Sequence, residues 1–414
     1  MRQIEEGSAD MTETRHPRLA MDDELLDAQL LRTVGAAPYG GADVGECVAT
    51  ARTVQGTDLD GWYSAWTDLA TTTAGLAESA RAAGRVETAR AAFFRASNYH
   101  RNAGVLLMGA PIDPRLRSSN AAQTTAFRQG AALLAAPPEI VAIPFEGTTL
   151  PGYHFRAAGA GPRQTAILLG GYDGTAEELY FFNGVAALAR GYDVLAFDGP
   201  GQGAALIQQG LVLRADYGPV VGAVVDFLLE RPDVDPDRLA LIGLSLGGFL
   251  APRAAADEPR LAACIADCGS FDMFAGALER MPERLADGLQ AGKRSARFLL
   301  GMVLRNLAAK PTAGWSLRRG MLVHGVATPV AYIEALRDYS LVGHAERITC
   351  PTFVCNAEAD AISASAPKLA AALRCPHEFR TFTTAEGGGD HCEAGARTLF
   401  HARAFDWLDG VLAR

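Results

Sequence analysis

Gly243-Leu-Ser-Leu-Gly247 places a serine between two glycines, where the apolar run Leu239 to Gly243 passes straight into a helical stretch beginning at Leu246. So sharp a turn strains the central residue, and glycines are needed around it because a side chain there would meet the strand or the helix. Ser245 then projects at a helix N-terminus, where developing negative charge is favoured. A serine hydroxyl is a weak nucleophile near neutral pH. It needs a histidine base and a carboxylate that orients the base, following it in the order serine, acid, histidine. His391 lies in the glycine-rich segment Glu386-Gly-Gly-Gly-Asp-His391, just after the last expected strand. His344 and His377 also follow Ser245, but one ends a long insertion and the other precedes a strand in a polar turn. Asp360 and Glu358 both lie just past the penultimate expected strand; Asp360 is favoured because a few loop residues are needed to reach the histidine. Asp390 competes weakly, since adjacent residues seldom orient each other's side chains.

An oxyanion formed at Ser245 needs donors, and the elbow arrangement supplies them from the amide after the nucleophile, Leu246, and from the loop after an earlier strand. That loop reads Leu169-Gly-Gly-Tyr-Asp-Gly174, so the second donor is the amide of Tyr172, with Asp173 beside it as a candidate pocket residue. Ordinary turn chemistry is the alternative reading of the Gly-Gly pair. Asp198-Gly-Pro-Gly-Gln-Gly203 lacks the spacing and lysine of a phosphate cradle and reads as a rigid rim loop. Tyr99, His100 and Arg101 sit together on a front helix, either facing the pocket or packing between helices.

These residues need a frame. Alanine-rich, helically spaced stretches at Asp60 to Ala83, Val86 to Met108 and Asn120 to Ala135 predict a helical domain over residues 1–137, behind a loosely ordered lead-in of about fifty residues. From residue 138 to 414 short apolar strands alternate with helices, which predicts an α/β fold with a mostly parallel, doubly wound sheet. Residues 271–339 interrupt that rhythm with a strandless helical insertion, expected to cap the active site.

Composition narrows the class. Half the chain is hydrophobic (49%), and 38 basic residues face 47 acidic ones, for a net charge of −9, with no basic run to track phosphates. Nucleic acid is not an expected partner. Neither a signal peptide nor a membrane-length apolar run is visible, so a cytoplasmic location is expected. Seven scattered cysteines without paired CxxC blocks suggest reduced, buried side chains and no metal site.

Taken together, Gly170-Gly-Tyr-Asp-Gly-Thr-Ala-Glu-Glu178, Phe197-Asp-Gly-Pro-Gly-Gln-Gly203, Gly243-Leu-Ser-Leu-Gly-Gly248 and Gly389-Asp-His-Cys392 resemble the α/β-hydrolases typified by 2,6-dihydroxypseudooxynicotine hydrolase and the fungal polyketide-shortening hydrolases. The resemblance spans about residues 75–414. It implies an α/β-hydrolase fold with a helical N-terminal domain and a cap, often a homodimer, and a triad of Ser245, Asp360 and His391. It also implies cleavage of a carbon–carbon bond next to a ketone in a small-molecule substrate, with no cofactor. Glu279, after the sixth strand, is the residue nearest to the extra acid of the nicotine-pathway enzyme, with a helix-surface role as the alternative. A carboxylester or thioester hydrolase, a non-hydrolytic elimination or cyclisation enzyme, and a non-catalytic binding protein remain open.

Overall fold

The structure, a computed structural model, describes residues 18–413; most of the acidic N-terminal stretch, residues 1–17, lies outside the described residues. Helices α1 (Glu24–Val34) and α2 (Val44–Ala51) come first, where the sequence suggested a loose lead-in. Both are capped by aspartates: Asp23 accepts from the amides of Leu25 and Leu26, and Asp43 from those of Gly45 and Glu46. Each is too short for periodicity to announce it. Their stability comes from tertiary burial, with Leu26, Leu30, Cys47 and Ala51 packed with Trp62 and Trp66.

Three longer helices complete the front: α3 (Leu59–Ala82), α4 (Val86–Val105) and α5 (Pro114–Ala131). Gly84, at φ 69°, makes the left-handed turn between α3 and α4. Phe127 of α5, with Phe94 of α4, joins the cluster on one face of the sheet, so the front helices are fused to the sheet through a common apolar core.

The sheet has eight strands: β1 (Glu139–Phe145), β2 (Thr148–Phe155), β3 (Arg163–Leu169), β4 (Asp193–Phe197), β5 (Val234–Leu244), β6 (Ala263–Asp267), β7 (Thr352–Ala357) and β8 (His377–Phe382). Their order is β1-β2-β4-β3-β5-β6-β7-β8, and only β2 pairs antiparallel with its neighbours. Alternation divides each strand between two cores: Ile167, Leu169 and Leu241 face one, Ala166, Leu168 and Ile242 the other. Both faces are therefore covered. Helices α6 (Ala176–Leu179) and α7 (Val185–Ala189) are joined by a π turn, Tyr180–Gly184, and lie on the second face; α8 (Gly203–Ile207), α9 (Gly218–Leu229) and α10 (Gly247–Ala255) contribute to the first.

Between β6 and β7 run five helices: α11 (Met273–Glu279), α12 (Glu283–Gln290), α13 (Arg294–Ala308), α14 (Trp315–Val323) and α15 (Pro329–Ala335). They bury their own small core of Phe274, Leu289, Leu300, Leu304, Leu317 and Ile333. This cap is pinned down at two points. Trp315 Nε1 donates to the carbonyl of Val105 at the end of α4 (3.0 Å), and the amide of Leu213 donates to Val323 (2.8 Å). Helices α16 (Ala366–Ala372) and α17 (Arg397–Leu412) close the chain, and no helix among the described residues is long and apolar enough to cross a membrane.

Candidate active site

Ser245 follows β5 and precedes α10, with φ 61°. Its amide donates to the carbonyl of Asp267 at the end of β6 (3.1 Å), which fixes the turn. The flanking glycines are sterically required. A Cβ on Gly243 would lie 2.0 Å from the carbonyl oxygen of Gly247, and one on Gly247 would lie 2.5 Å from that of Leu169. Ser245 Oγ lies 2.7 Å from His391 Nε2, and His391 Nδ1 lies 2.7 Å from Asp360 Oδ2. Asp360 comes from the turn after β7 and also accepts from the amide of Ile362 (2.9 Å), whereas Glu358 accepts from the amide of Thr384.

Burial opposes charge on both partners of this pair, yet their mutual attraction prevails. The imidazolium is held well above its usual range by the Asp360 carboxylate, which is itself held well below the usual carboxylate range. The histidine loop is anchored from behind by a buried arginine. Arg397 Nη1 donates to Asp267 Oδ2 (2.7 Å) and to the carbonyl of Cys392 (2.8 Å), and its Nη2 donates to Asn183 Oδ1 (2.6 Å). One guanidinium thereby joins the residue that holds the Ser245 amide to the residue after His391.

The loop after β3 lies directly against the serine, since a Cβ on Gly171 would sit 2.7 Å from Ser245 Cβ. Gln202 braces this loop by donating to the carbonyl of Gly170 (2.5 Å), and the carboxylate of Asp198 accepts from the amides of Ala176 and Ala204 (2.7 Å each). That rim carboxyl is pushed up to about 8 by burial and by the nearby Glu177. The amides of Tyr172 and Leu246 donate to no acceptor among the described residues. Residues 166–399 match the Alpha/beta hydrolase family, spanning more than half of the chain and every element described around Ser245.

The chain belongs to the α/β-hydrolase family. Its relatives include Hydrolase LUC6 of Fusarium sp, 37% identical over 93% of this chain and 96% of the relative, and 20-hydroxy-prefusarin hydrolase FUS2 of Gibberella moniliformis, 36% identical over 94% and 97%. Among solved structures it is similar to 2,6-dihydroxy-pseudo-oxynicotine hydrolase, with a TM-score of 0.72 and 25% identity over 92% of this chain and 96% of that one. It is an enzyme, a hydrolase.

Over the serine loop the hydrolase cap contributes α14 and α15. The Tyr172 hydroxyl lies 2.9 Å from His324 Nε2 and accepts from the Tyr332 hydroxyl (3.4 Å); burial pushes His324 down to about 4, so the ring is neutral. Arg319 stacks over the Tyr172 ring and pairs with Asp173 (3.4 Å). Asp173 is also held by Arg32 of α1 (2.9 Å), and Arg32 grips Glu178 through two further bonds. Arg32, Arg319, His324 and Tyr332 were not identified from the sequence. None carries a motif, and only the folded chain brings them to the Tyr172 loop.

Two candidates lie elsewhere. Tyr99 packs against Trp66, donates its hydroxyl to Glu46 (2.6 Å) and accepts from the amide of Asp43, so it serves the α2–α4 packing rather than a pocket. Its neighbour His100 does line a cavity, together with Arg101 and Asp173. Glu279 ends α11 with its side chain 59% exposed and paired with Lys368 (2.9 Å); its carboxylate meets solvent instead of Ser245.

Metal ligation competes poorly at this site. Cys268, His391 and Cys392 place one ligand atom each within 4.8 Å of one another, but both ring nitrogens of His391 are engaged by Ser245 and Asp360. Burial keeps both thiols protonated, raising Cys268 and Cys392 above their ordinary values. Asp267, Cys355 and Glu393 also converge, around a position that Arg397 already fills.

Proposed function

We propose that this hydrolase uses Ser245 as a nucleophile against a ketone carbonyl in a small metabolite, cleaving the adjacent carbon–carbon bond of a β-diketone or acyl-aromatic substrate. The observation that carries this reading is the relay from Ser245 Oγ through His391 to Asp360, set beside two amides without acceptors. The similarity to a 2,6-dihydroxy-pseudo-oxynicotine hydrolase supports it.

In this scheme the Ser245 proton passes to His391 Nε2 as Oγ bonds to the carbonyl carbon. The carbonyl oxygen takes the negative charge between the amides of Tyr172 and Leu246, each contributing on the order of 3 kcal/mol to the transition state. Collapse breaks the carbon–carbon bond, and the leaving carbanion, delocalised into a second carbonyl or a hydroxylated ring, takes its proton from the His391 imidazolium. Water, deprotonated by His391, then attacks the acyl-enzyme and releases a carboxylic acid and free Ser245.

An ester or thioester substrate is the second reading, and the surface position of Glu279 favours it. No added acid is then required, because an alkoxide or thiolate leaves more readily than a carbanion. Turnover of β-diketones and of p-nitrophenyl acyl esters by wild type and Ser245→Ala tests both. Loss of both activities in the variant supports the nucleophile, and unchanged turnover removes it. Rapid ester hydrolysis without diketone cleavage selects the second reading. The resemblance also supports a cytoplasmic homodimer, and sedimentation of the purified chain measures its oligomeric state.

A further inference from the structure

Between α4, α5 and the Tyr172 loop lies a cavity lined by His100, Arg101, Asn120, Gln123, Asp173 and Thr175. The polar atoms left open there are donors. Arg101, with its side chain 3% exposed, pairs through Nε with Glu178 (3.1 Å), while its Nη1 and Nη2 have no hydrogen-bond partner among the described residues. Asn120 Nδ2 is likewise buried and without a partner, its Oδ1 accepting from Gln208. Gln123 is already committed, donating to Thr175 Oγ1 (2.6 Å).

Charge points the same way. Three guanidiniums, those of Arg32, Arg101 and Arg319, surround two carboxylates, Asp173 and Glu178. The guanidiniums exceed these carboxylates by one charge, and among them Arg101 is the one whose two terminal nitrogens are buried without a hydrogen-bond partner among the described residues. Burial disfavours that charge and draws the Arg101 guanidinium down to about 10, still fully protonated near neutral pH. A buried cation with open donors is costly unless a ligand supplies the acceptor. His100 adds no competing charge, because burial pushes its ring down to about 4.

We propose that this cavity binds a carboxylate of the substrate, with the two terminal nitrogens of Arg101 forking onto its two oxygens and Asn120 Nδ2 donating a third bond. A planar two-oxygen anion matches the guanidinium fork. The cavity and the serine share one loop: Gly171 touches Ser245, and Asp173, two residues on, lines the cavity. The inference rests on the Ser245 reading and narrows it to substrates carrying an acidic group remote from the scissile carbonyl.

The test compares p-nitrophenyl hydrogen glutarate and hydrogen adipate with the uncharged valerate and hexanoate esters. In wild type, kcat/KM for a charged ester exceeds that for its neutral partner by about tenfold or more, chiefly through KM. Arg101→Met removes that preference, and Arg101→Lys, which keeps the charge without the fork, retains part of it. Equal treatment of the two ester classes by wild type, or a full preference in folded Arg101→Met, overturns the proposal. A readout independent of turnover accompanies it: glutarate raises the melting temperature of Ser245→Ala but not of the Ser245→Ala/Arg101→Met double variant. If no ester is turned over, the ester reading fails while diketone turnover still tests Ser245, and the glutarate shift alone decides the anion site. No shift, or an equal shift from chloride at matched ionic strength, means that the cavity holds water or a nonspecific anion and counts against a carboxylate site.

Discussion

Arg397 and Arg101 are buried to nearly the same degree, with side chains 0% and 3% exposed, yet their surroundings differ in kind. Arg397 has its terminal nitrogens on Asp267, Cys392 and Asn183. Burial and the proximity of Asp267 raise Glu393 well above its ordinary value, and Arg397 pairs with Asp267 at 2.7 Å. Around Arg101 the cations outnumber the anions and the terminal donors are open. A buried arginine whose terminal nitrogens are both engaged, with only Nε open, holds a frame in place; one whose terminal nitrogens are open beside a cavity is arranged for something that arrives. Burial alone would have ranked the two together.

That distinction can be tested in descending order of effect. Ser245→Ala should cost turnover about 10⁴-fold or more while leaving the urea unfolding midpoint where it was, because the Arg397 frame does not depend on the hydroxyl. If the midpoint falls as well, frame and chemistry are not separable. Arg397→Met should destabilise the fold by about 3–5 kcal/mol in the same unfolding experiment, since Asp267 would be left charged and unpaired in the interior. Stability retained in that variant would erase the contrast between the two arginines.

A smaller effect is expected in the pH profile. The proposed scheme needs neutral His391, and the Asp360 carboxylate raises its pKa, so kcat/KM should climb with pH through a midpoint above 6.5. Asp360→Asn removes the attraction and should move that midpoint downwards in the residual activity; an unmoved limb would assign it to another group. The smallest change is expected for the stability of Arg101→Met, within about 1 kcal/mol of wild type, because its loss leaves balanced charges and relieves open donors. A loss as large as that for Arg397 would make Arg101 a frame residue.

What the sequence revealed follows from how local each signal is. The serine turn was legible because its glycines answer a steric demand within a few residues, and β5 and α10 flank it in plain periodicity. The loops bearing Asp360 and His391 were legible because the strand rhythm fixes which loops share an edge of the sheet. Residues 24–51 were misjudged, since α1 and α2 are short and their order comes from tryptophans on a later helix. Tyr99 and His100 were grouped together, although consecutive helical residues point about 100° apart; His100 lines the cavity with Arg101 while Tyr99 packs against Trp66, and the sequence does not give that phase. Of the arginine cluster Arg101 alone was named, and Arg32 and Arg319 were hidden. Its members come from α1, α4 and the cap, and an isolated arginine has no spacing to betray it.

Asp173 is gripped from two sides, by Arg32 of the first helix and by Arg319 of the cap. Cap and front segment are consequently a matched pair for anyone recombining this enzyme with its relatives. A chimera that exchanges residues 271–339 alone would strand half of the clasp, and crossovers meant to broaden the range of accepted molecules should carry both arginines together.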